Sequence, residues 1–458
     1  MALKVVILAA GKGTRMITDL PKVLHPLGGI PLLAHVIHTA QHLKPEKIIV
    51  VYSPDFPEVR QSLKDEDVSF VAQKEQLGTG HAVLQAAAHF EPSDQVLVLY
   101  GDVPLITRET LEFLVSSAPH QGIGLLVATV EDPFGLGRII RDADGHVIRI
   151  VEHKEANKTQ LRIKEVNTGI MTMPAPLLTD WLPALGKNNQ QGEYYLTDMI
   201  EKAVEYKRPI FSVSAYSAHE IQGVNNRWQL GRLERYYQEL MAKRYTMQGV
   251  TIKDYKRFDV RGREVEIGAD VEIDINVVLS GKVSIGSHTY IGPNVVIENS
   301  RIGEGVRIEA NTVIQGSIVG NYALVGPFVH LRSGTRLGDK TSVGNFVEVK
   351  NSVIGEGTRA KHLSYMGDSV IGKFVNIGAG MITCNYDGAQ KHKTEIGDDA
   401  FIGANTTLVA PIKIGNHAIV AAGTTLTKSI ANDSLGIARE QQREIKGYKR
   451  KRKMIDPK

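Results

Sequence analysis

Two different patterns of apolar and polar positions divide this chain. Up to about Ala218, short apolar runs alternate with amphipathic stretches. Lys4-Val5-Val6-Ile7-Leu8-Ala9-Ala10, Ile48-Ile49-Val50-Val51-Tyr52 and Gln95-Val96-Leu97-Val98-Leu99-Tyr100 are unbroken, and helical spacing lies between them, as from Gly80 to Phe90. Unbroken runs of this kind are what parallel strands buried on both faces require, so the pattern predicts a doubly wound α/β domain. From Arg227 to about Met247, Leu230, Leu233, Tyr237, Leu240, Met241 and Arg244 fall at three- and four-residue steps, which predicts one long connecting helix.

Beyond Val265 an aliphatic residue recurs every six positions: Ile267, Ile273, Leu279, Ile285, Ile291, Ile297. After one-residue slips the series resumes at Ile302 and Val319, and it runs on through Val349, Ile371, Ile402 and Leu426. Glycine often follows, as in Ile285-Gly286 and Ile402-Gly403. So regular a repeat predicts a solenoid. Three six-residue rungs close one triangular coil, with the aliphatic side chains inside and small residues at the corners. At ~4.8 Å between stacked strands, about 160 residues give ~9 coils and a prism about 40–45 Å long. Between Thr383 and Ile396 the spacing jumps to thirteen. The extra residues, Cys384-Asn385-Tyr386-Asp387-Gly388-Ala389-Gln390-Lys391-His392-Lys393-Thr394-Glu395, are too polar for a rung, and such insertions gather on functional faces. The pattern places a first domain at 1–226, a helical linker at 227–247 and the β-helix with a basic tail at 248–458.

The length of 458 residues fits two hydrophobic cores better than one. The net charge of +4 gives no reason to expect nucleic acid or a membrane surface as a partner. No apolar stretch is long enough to span a bilayer, and the N-terminus lacks the pattern of a secretory signal. With Cys384 alone no intrachain disulfide forms. These points together lead us to expect a cytoplasmic protein.

The first apolar run ends in Leu8-Ala9-Ala10-Gly11-Lys12-Gly13-Thr14-Arg15-Met16, with Pro21-Lys22 just beyond. Glycines at a strand-to-helix turn let backbone N–H groups approach phosphate oxygens, and Arg15 and Lys22 add positive charge. The string is neither a Walker loop nor a dinucleotide fingerprint; it resembles the signature of the sugar-phosphate nucleotidylyltransferases, whose domain is Rossmann-like. Tyr100-Gly101-Asp102 closes another buried strand, at the end where open α/β sheets bind ligands. Asp102 either caps the following helix or, opposite a phosphate-binding turn, holds Mg²⁺.

In the solenoid, Lys361-His362-Leu363-Ser364-Tyr365-Met366-Gly367-Asp368 breaks the aliphatic rule. A histidine there is either a surface residue or a group that takes a proton near neutral pH. Acylating an amine needs such a base, because an ammonium ion is not a nucleophile.

Taken together, the motifs resemble, over essentially the whole chain, the bifunctional N-acetylglucosamine-1-phosphate uridyltransferase/glucosamine-1-phosphate acetyltransferase family of bacterial cell-wall synthesis. The resemblance implies a left-handed β-helix, where the general crossover rule alone would give the right hand. It implies UTP, acetyl-coenzyme A and sugar 1-phosphates as substrates, Mg²⁺ held by Asp102 and Asn225 (in Gly223-Val224-Asn225-Asn226), and a homotrimer with shared acetyl sites. At the uridylyl site it implies Leu8, Ala9, Ala10, Gly11, Arg15, Lys22, Tyr100, Gly101 and Asp102 near the nucleotide and metal. Gln73, Gly78 and Thr79 would meet the uracil, and Gly137, Glu152 and Asn167 the sugar. At the acetyl site it implies His362 as catalytic base, Arg332, Lys350, Tyr365 and Asn376 around the sugar phosphate, and Ala379, Asn385, Tyr386, Ala404, Ala422 and Arg439 around acetyl-coenzyme A. Relatives commonly have Ser where Ala404 stands, so Ala404 would serve through its backbone. The tail Lys446 to Lys453 reads as a solvated basic segment. Two other readings are a nucleotidylyltransferase for a different sugar with a silent β-helix, and a regulatory or scaffold subunit. Lys22, Asp102, Asn225 and His362 together speak for the enzyme.

Overall fold

The computed structural model describes residues 2–187, 189 and 191–449. The chain forms two compact units, Met1–Leu240 and Met241–Lys458.

The first unit is built on a nine-stranded sheet. Its strands are β1 (Leu3–Ala9), β2 (Lys47–Tyr52), β3 (Ser69–Ala72), β4 (Gln95–Tyr100), β5 (Ile123–Thr129), β6 (Arg138–Arg141), β7 (Val147–Val151), β8 (Glu165–Pro174) and β9 (Ile210–Ser214). The order is β9-β5-β8-β4-β1-β2-β3, with the β6–β7 hairpin joined to β8. Successive side chains of a strand point to opposite faces, and here both faces are covered. Val5, Ile7, Val50, Leu97 and Leu99 enter one core, while Val6, Leu8, Ile49, Val51, Val96 and Val98 enter the other. This double burial is why the strands read as unbroken apolar runs.

The sheet is mixed, not wholly parallel as the pattern suggested: β8 runs antiparallel to both β4 and β5. A hairpin, β6–β7, precedes β8 in place of a helical crossover, and only a crossover returns a strand in the parallel sense. The expected helix over Gly80–Phe90 is a helix at Thr79–Gln85 followed by a 3₁₀ turn at Ala87–His89.

The long helix spans Arg227–Thr246. The division between units falls inside it: Leu233 and Tyr237 are buried in the first unit, Ala242 and Tyr245 in the second. Glu234 accepts from Gly28 N–H at 2.8 Å, and the Tyr245 hydroxyl donates to the Val265 carbonyl at 3.0 Å. Among the described residues no helix is long and apolar enough to cross a membrane.

The second unit is a left-handed β-helix of three parallel faces with eleven, ten and nine strands. The first face runs from Thr251–Ile252 to Leu435–Gly436, the second from Phe258–Arg261 to Thr425–Leu426, the third from Val265–Ile267 to Ile412–Ile414. The aliphatic series points inward throughout: Ile273, Leu279, Ile291, Ile308, Leu331, Val349 and Ile402 have no exposed area. The prism begins two rungs before the six-residue rhythm, at Thr251–Ile252 and Phe258–Arg261, because the 3₁₀ turn Tyr255–Arg257 breaks the spacing between them. At one corner Asn276, Asn294 and Asn311 take left-handed backbone angles and their amides stack at 2.9 and 3.2 Å. Asparagine tolerates that region better than most residues.

Candidate active sites

In the first unit, β1 ends at Ala9 and the chain turns through Gly11–Gly13 into a 3₁₀ turn at Thr14–Met16. Gly13 has φ +59°, and a Cβ there would lie 2.6 Å from the Lys22 Cβ, so the turn requires glycine. This close approach brings Lys22 back toward the ends of β1 and β4. Its ammonium contacts Asp102 Oδ2 and lies 3.4 Å from Asn225 Oδ1, while Arg15 donates to the same Oδ1 at 3.0 Å. Both the Lys22 and Asp102 side chains are 15% exposed. Val224 N–H donates to the Asp102 carbonyl at 3.0 Å, tying the two segments together. Asp102 does not cap the next helix, Arg108–Ser117: that role falls to Thr107, whose hydroxyl accepts from Thr110 N–H. A carboxylate and an amide oxygen side by side are the hard oxygen donors that Mg²⁺ takes, and the two cations beside them suit phosphate oxygens.

A cleft opens beside this cluster, lined by Leu8, Ala9, Ala10, Gly11, Lys22, Gln73, Gly78, Thr79, Tyr100 and Asp102. Gly101 lies behind it, buried, with its N–H donating to the Leu8 carbonyl at 2.9 Å. Gln76 and Glu193 also line the cleft and were not legible in the motifs. Thr79, Tyr100 and Glu193 are shared with a second compartment, which holds Arg15, Gly137, Glu152 and Asn167 together with Tyr195 and Thr197. Asn167 N–H donates to the Gly137 carbonyl at 2.9 Å. Gly169 has φ +80°, and a Cβ there would strike the Tyr100 ring at 2.5 Å; a side chain at 169 would push that ring into the passage between compartments.

The wall contributed by Glu193 and Tyr195 comes from a segment that docks on Gly78–Gly80. Gly80 N–H donates to the Tyr194 carbonyl at 2.8 Å and Leu196 N–H to Thr79 Oγ1 at 3.0 Å. Contacts so distant in sequence leave no local signal. Three carboxylates, Glu152, Glu155 and Glu193, line the second compartment beside Arg15 and Lys154. Burial pushes the Glu152 carboxyl up, helped by Glu155 and Asp198; burial, with Glu201 and Glu155, pushes Asp198 up to about 6. Burial followed by Glu152 drives the Tyr195 hydroxyl up to about 12, and the buried Tyr100 hydroxyl rises for the same reason, with Asp102 adding to it.

In the second unit, Arg332, Lys350 and Tyr365 come from successive coils of the second face. Arg332 donates to Glu348 at 2.8 Å. The Lys391 ammonium is the main cause of a lowered Lys350 pKa, with Arg332 adding to it. Three cations gather here against two carboxylates, Glu348 and Asp368, and the surplus positive charge favours an anion. Lys391 was not among the expected site residues, and it reaches this face only because the inserted loop folds back on itself. A bridge joins Tyr386 and Lys391, and Asp387 accepts from Ala389 N–H, Gln390 N–H and His392. The loop is anchored by Asn385, 8% exposed, which donates to Asp368 Oδ2 at 2.5 Å, while Asn351 donates to Oδ1 at 2.6 Å. Burial raises the Asp368 carboxyl, but those two amides with Lys391 and Lys350 outweigh it and hold it below the usual range.

His362 lies at the corner between the first and second faces, side chain exposed, at the end of the strand Arg359–His362. Ala379, Ala404 and Ala422 stack along the same corner: Asn405 N–H donates to the Ala379 carbonyl at 2.7 Å and Gly423 N–H to that of Ala404 at 2.8 Å. Arg439 donates to the Ala422 carbonyl at 2.7 Å. The expected residues therefore fall into two groups at opposite edges of the second face: the alanine corner with His362, and the loop with Asn385, Tyr386 and the cations. Asn376 joins neither, being exposed on the first face. Of the basic tail, Lys446 to Lys449 are exposed, and the remainder lies outside the described residues.

Residues 5–195 match a family described as the MobA-like NTP transferase domain. Residues 262–347 match a GMPPB C-terminal domain, and residues 393–428 match the bacterial transferase hexapeptide repeats. The chain is 55% identical to the bifunctional protein GlmU of Coxiella burnetii (strain CbuK_Q154), over 98% of this chain and 99% of that one. It is 53% identical to the bifunctional protein GlmU of Pseudomonas entomophila (strain L48), over 99% of each.

Proposed function

The chain belongs to the family of bifunctional GlmU proteins, which it matches along almost its entire length, and from that premise we propose how its two units divide the work. It is an enzyme with two activities. One transfers an acetyl group from acetyl-coenzyme A to the amine of glucosamine 1-phosphate. The other transfers a uridylyl group from UTP to N-acetylglucosamine 1-phosphate, releasing pyrophosphate and yielding UDP-N-acetylglucosamine. The observation that carries the reading is that, in a chain matched end to end, each unit gathers its own cluster of cations, Arg15 with Lys22 in one and Arg332, Lys350 and Lys391 in the other.

In the first unit the uracil and phosphates take the cleft and the sugar takes the compartment of Gly137, Glu152 and Asn167. A sugar 1-phosphate oxygen attacks the α-phosphorus of UTP. Arg15 and Lys22 stabilise charge that grows on the phosphorus oxygens, and no nucleophilic side chain is needed. Asp102 and Asn225 would hold Mg²⁺, which supplies Lewis-acid stabilisation of the same oxygens.

In the second unit Arg332, Lys350 and Lys391 hold the sugar phosphate. His362 takes the proton from the sugar ammonium so that the free amine attacks the thioester carbonyl; the C–S bond then breaks, and coenzyme A leaves as the thiol with the second proton that the new amide nitrogen gives up. The stacked corner of Ala379, Ala404 and Ala422 offers coenzyme A a flat, small-residue edge, with Arg439 nearby. Assaying each half-reaction on purified protein tests the division. Both are expected, and chelating Mg²⁺ should stop uridylyl transfer while acetyl transfer continues. Loss of both on chelation, or absence of either, would overturn it.

The separation of His362 from the loop within one chain supports a homotrimer whose acetyl sites draw on neighbouring chains. Deleting Asp387–His392 should spare the β-helix and uridylyl transfer but reduce acetyl transfer severely. Mixing that variant with His362→Ala chains should restore part of it, since one mixed site joins a sound loop to a sound histidine. A monomeric mass, or no rescue in verified mixed trimers, would sink the shared site. UTP and acetyl-coenzyme A as substrates support work in the cytoplasm.

A further inference from the structure

Gln73, which lines the cleft, is backed by a histidine, His81, that none of the site assignments uses. Gln73 closes strand β3 with its backbone N–H on the Tyr52 carbonyl at 2.8 Å, and it is 3% exposed. Its Nε2 lies 3.2 Å from the Gly78 carbonyl oxygen and 3.1 Å from His81 Nδ1. A carbonyl oxygen has no proton to give, so the end of the carboxamide that faces Gly78 is its NH₂. Both of its hydrogens are then committed, one to Gly78 and one to His81. Among the described residues Oε1 takes no hydrogen bond from the protein, and it is the polar atom Gln73 has left for the cleft it lines.

His81 sits in the helix Thr79–Gln85 and is approached from the other side by the Gln85 amide, whose Nε2 is 3.1 Å from His81 Nε2 and 3.3 Å from the His81 carbonyl. A neutral imidazole carries one proton, so it cannot accept at both nitrogens. The conflict has a clear winner. On turning, Gln73 would lose the Gly78 bond inside a buried site, whereas half-exposed Gln85 would exchange its 3.3 Å bond to the His81 carbonyl for solvent. His81 therefore accepts at Nδ1 and carries its proton on Nε2, which Gln85 then meets with its oxygen.

We infer that His81 is a specificity-positioning residue: by accepting from Gln73 it holds the carboxamide with its oxygen toward the base, so that the site takes a pyrimidine with an N3–H, uracil, and rejects cytosine, whose N3 carries a lone pair. The inference rests on the uridylyl-transfer reading and adds to it the origin of base choice. A buried acceptor that meets a lone pair leaves both groups unpaired and desolvated, and sites built this way discriminate strongly. With the second acceptor gone, Gln73 is held only by Gly78 and the flipped carboxamide, donating to cytosine N3, becomes accessible.

The test is the ratio of kcat/KM for UTP and CTP, which a merely structural loss would leave unmoved because it lowers both. His81→Leu should lower the ratio at least about tenfold. His81→Asn places an oxygen near the position of Nδ1 and should keep most of it. His81→Gln places its acceptor near Nε2, out of reach of Gln73, and should behave like the leucine variant; it also serves if His81→Leu does not fold. Acetyl transfer belongs to the other unit and should be unchanged in all three, while a thermal melt and circular-dichroism spectrum compared with wild type report on the fold of the first unit. An unaltered ratio in His81→Gln, equal losses in the asparagine and glutamine variants, or a wild-type protein that uses CTP as well as UTP would overturn the inference. A wild-type protein that transfers no nucleotide at all would overturn the uridylyl reading instead.

Discussion

Replacing His362 with alanine is expected to lower acetyl transfer by about 10²–10⁴-fold, the usual contribution of a positioned general base, with uridylyl transfer at the wild-type rate. At neutral pH the sugar amine is an ammonium ion, and without a base the reaction waits on its minor free form. The imidazole is exposed at a prism corner, whereas the neighbours that hold the coil, Ser364 and Met366, are 3% and 0% exposed and keep their contacts. Truncating an exposed side chain away from such contacts costs within about 0.5 kcal/mol, so the melting temperature should barely move. Separate assays of the two reactions with a thermal melt check this. If both activities fall while the fold stays intact, the division of labour between the units is wrong.

The second large effect is at Asp102. Asp102→Ala should lower uridylyl transfer by about 10²–10³-fold, the scale of removing one preorganised electrostatic group, and should weaken its dependence on Mg²⁺. Two losses combine. The proposed Mg²⁺ site would lose its carboxylate, and Lys22, whose side chain is 15% exposed, loses the carboxylate that orients it. Asn225→Ala should act in the same direction less severely, because it removes a neutral oxygen that Arg15 and Lys22 share. Acetyl transfer develops charge on a thioester oxygen and an amine in the other unit and should be untouched. A Mg²⁺ titration of each variant in both assays is the measurement. Unchanged uridylyl transfer at saturating Mg²⁺ in both variants would remove the pair as ligands.

Legibility followed the range of the interactions involved. The β-helix could be read rung by rung because each coil packs only on its neighbours, so every inward position faces the same demand and the sequence repeats it. Where a single turn broke the rhythm, at Tyr255–Arg257, the first two rungs dropped out of the six-residue series. In the first unit, burial on both faces wrote the strands as apolar runs, but strand direction left no such mark, and β8 turned out antiparallel. The glycine-rich turn was readable because a close backbone approach demands glycine at Gly13 whatever the distant surroundings.

Local composition and periodicity thus settled the two architectures, the position of the phosphate turn and the polar insert in the prism. The tertiary structure alone decided what meets across long separations. It placed Asn225 and Arg15 on Lys22 and Asp102, put Glu193 and Tyr195 in the wall of the second compartment, and returned Lys391 to Arg332 and Lys350. It also set His81 against Gln73, separated by only eight positions but joined through a loop and a helix start. The physical reason is common to all four. A backbone periodicity is imposed by burial repeated along one element, and it is written into every residue of that element. A convergent site is imposed by a few side chains whose distance depends on how whole elements dock, and no neighbouring residue records that distance.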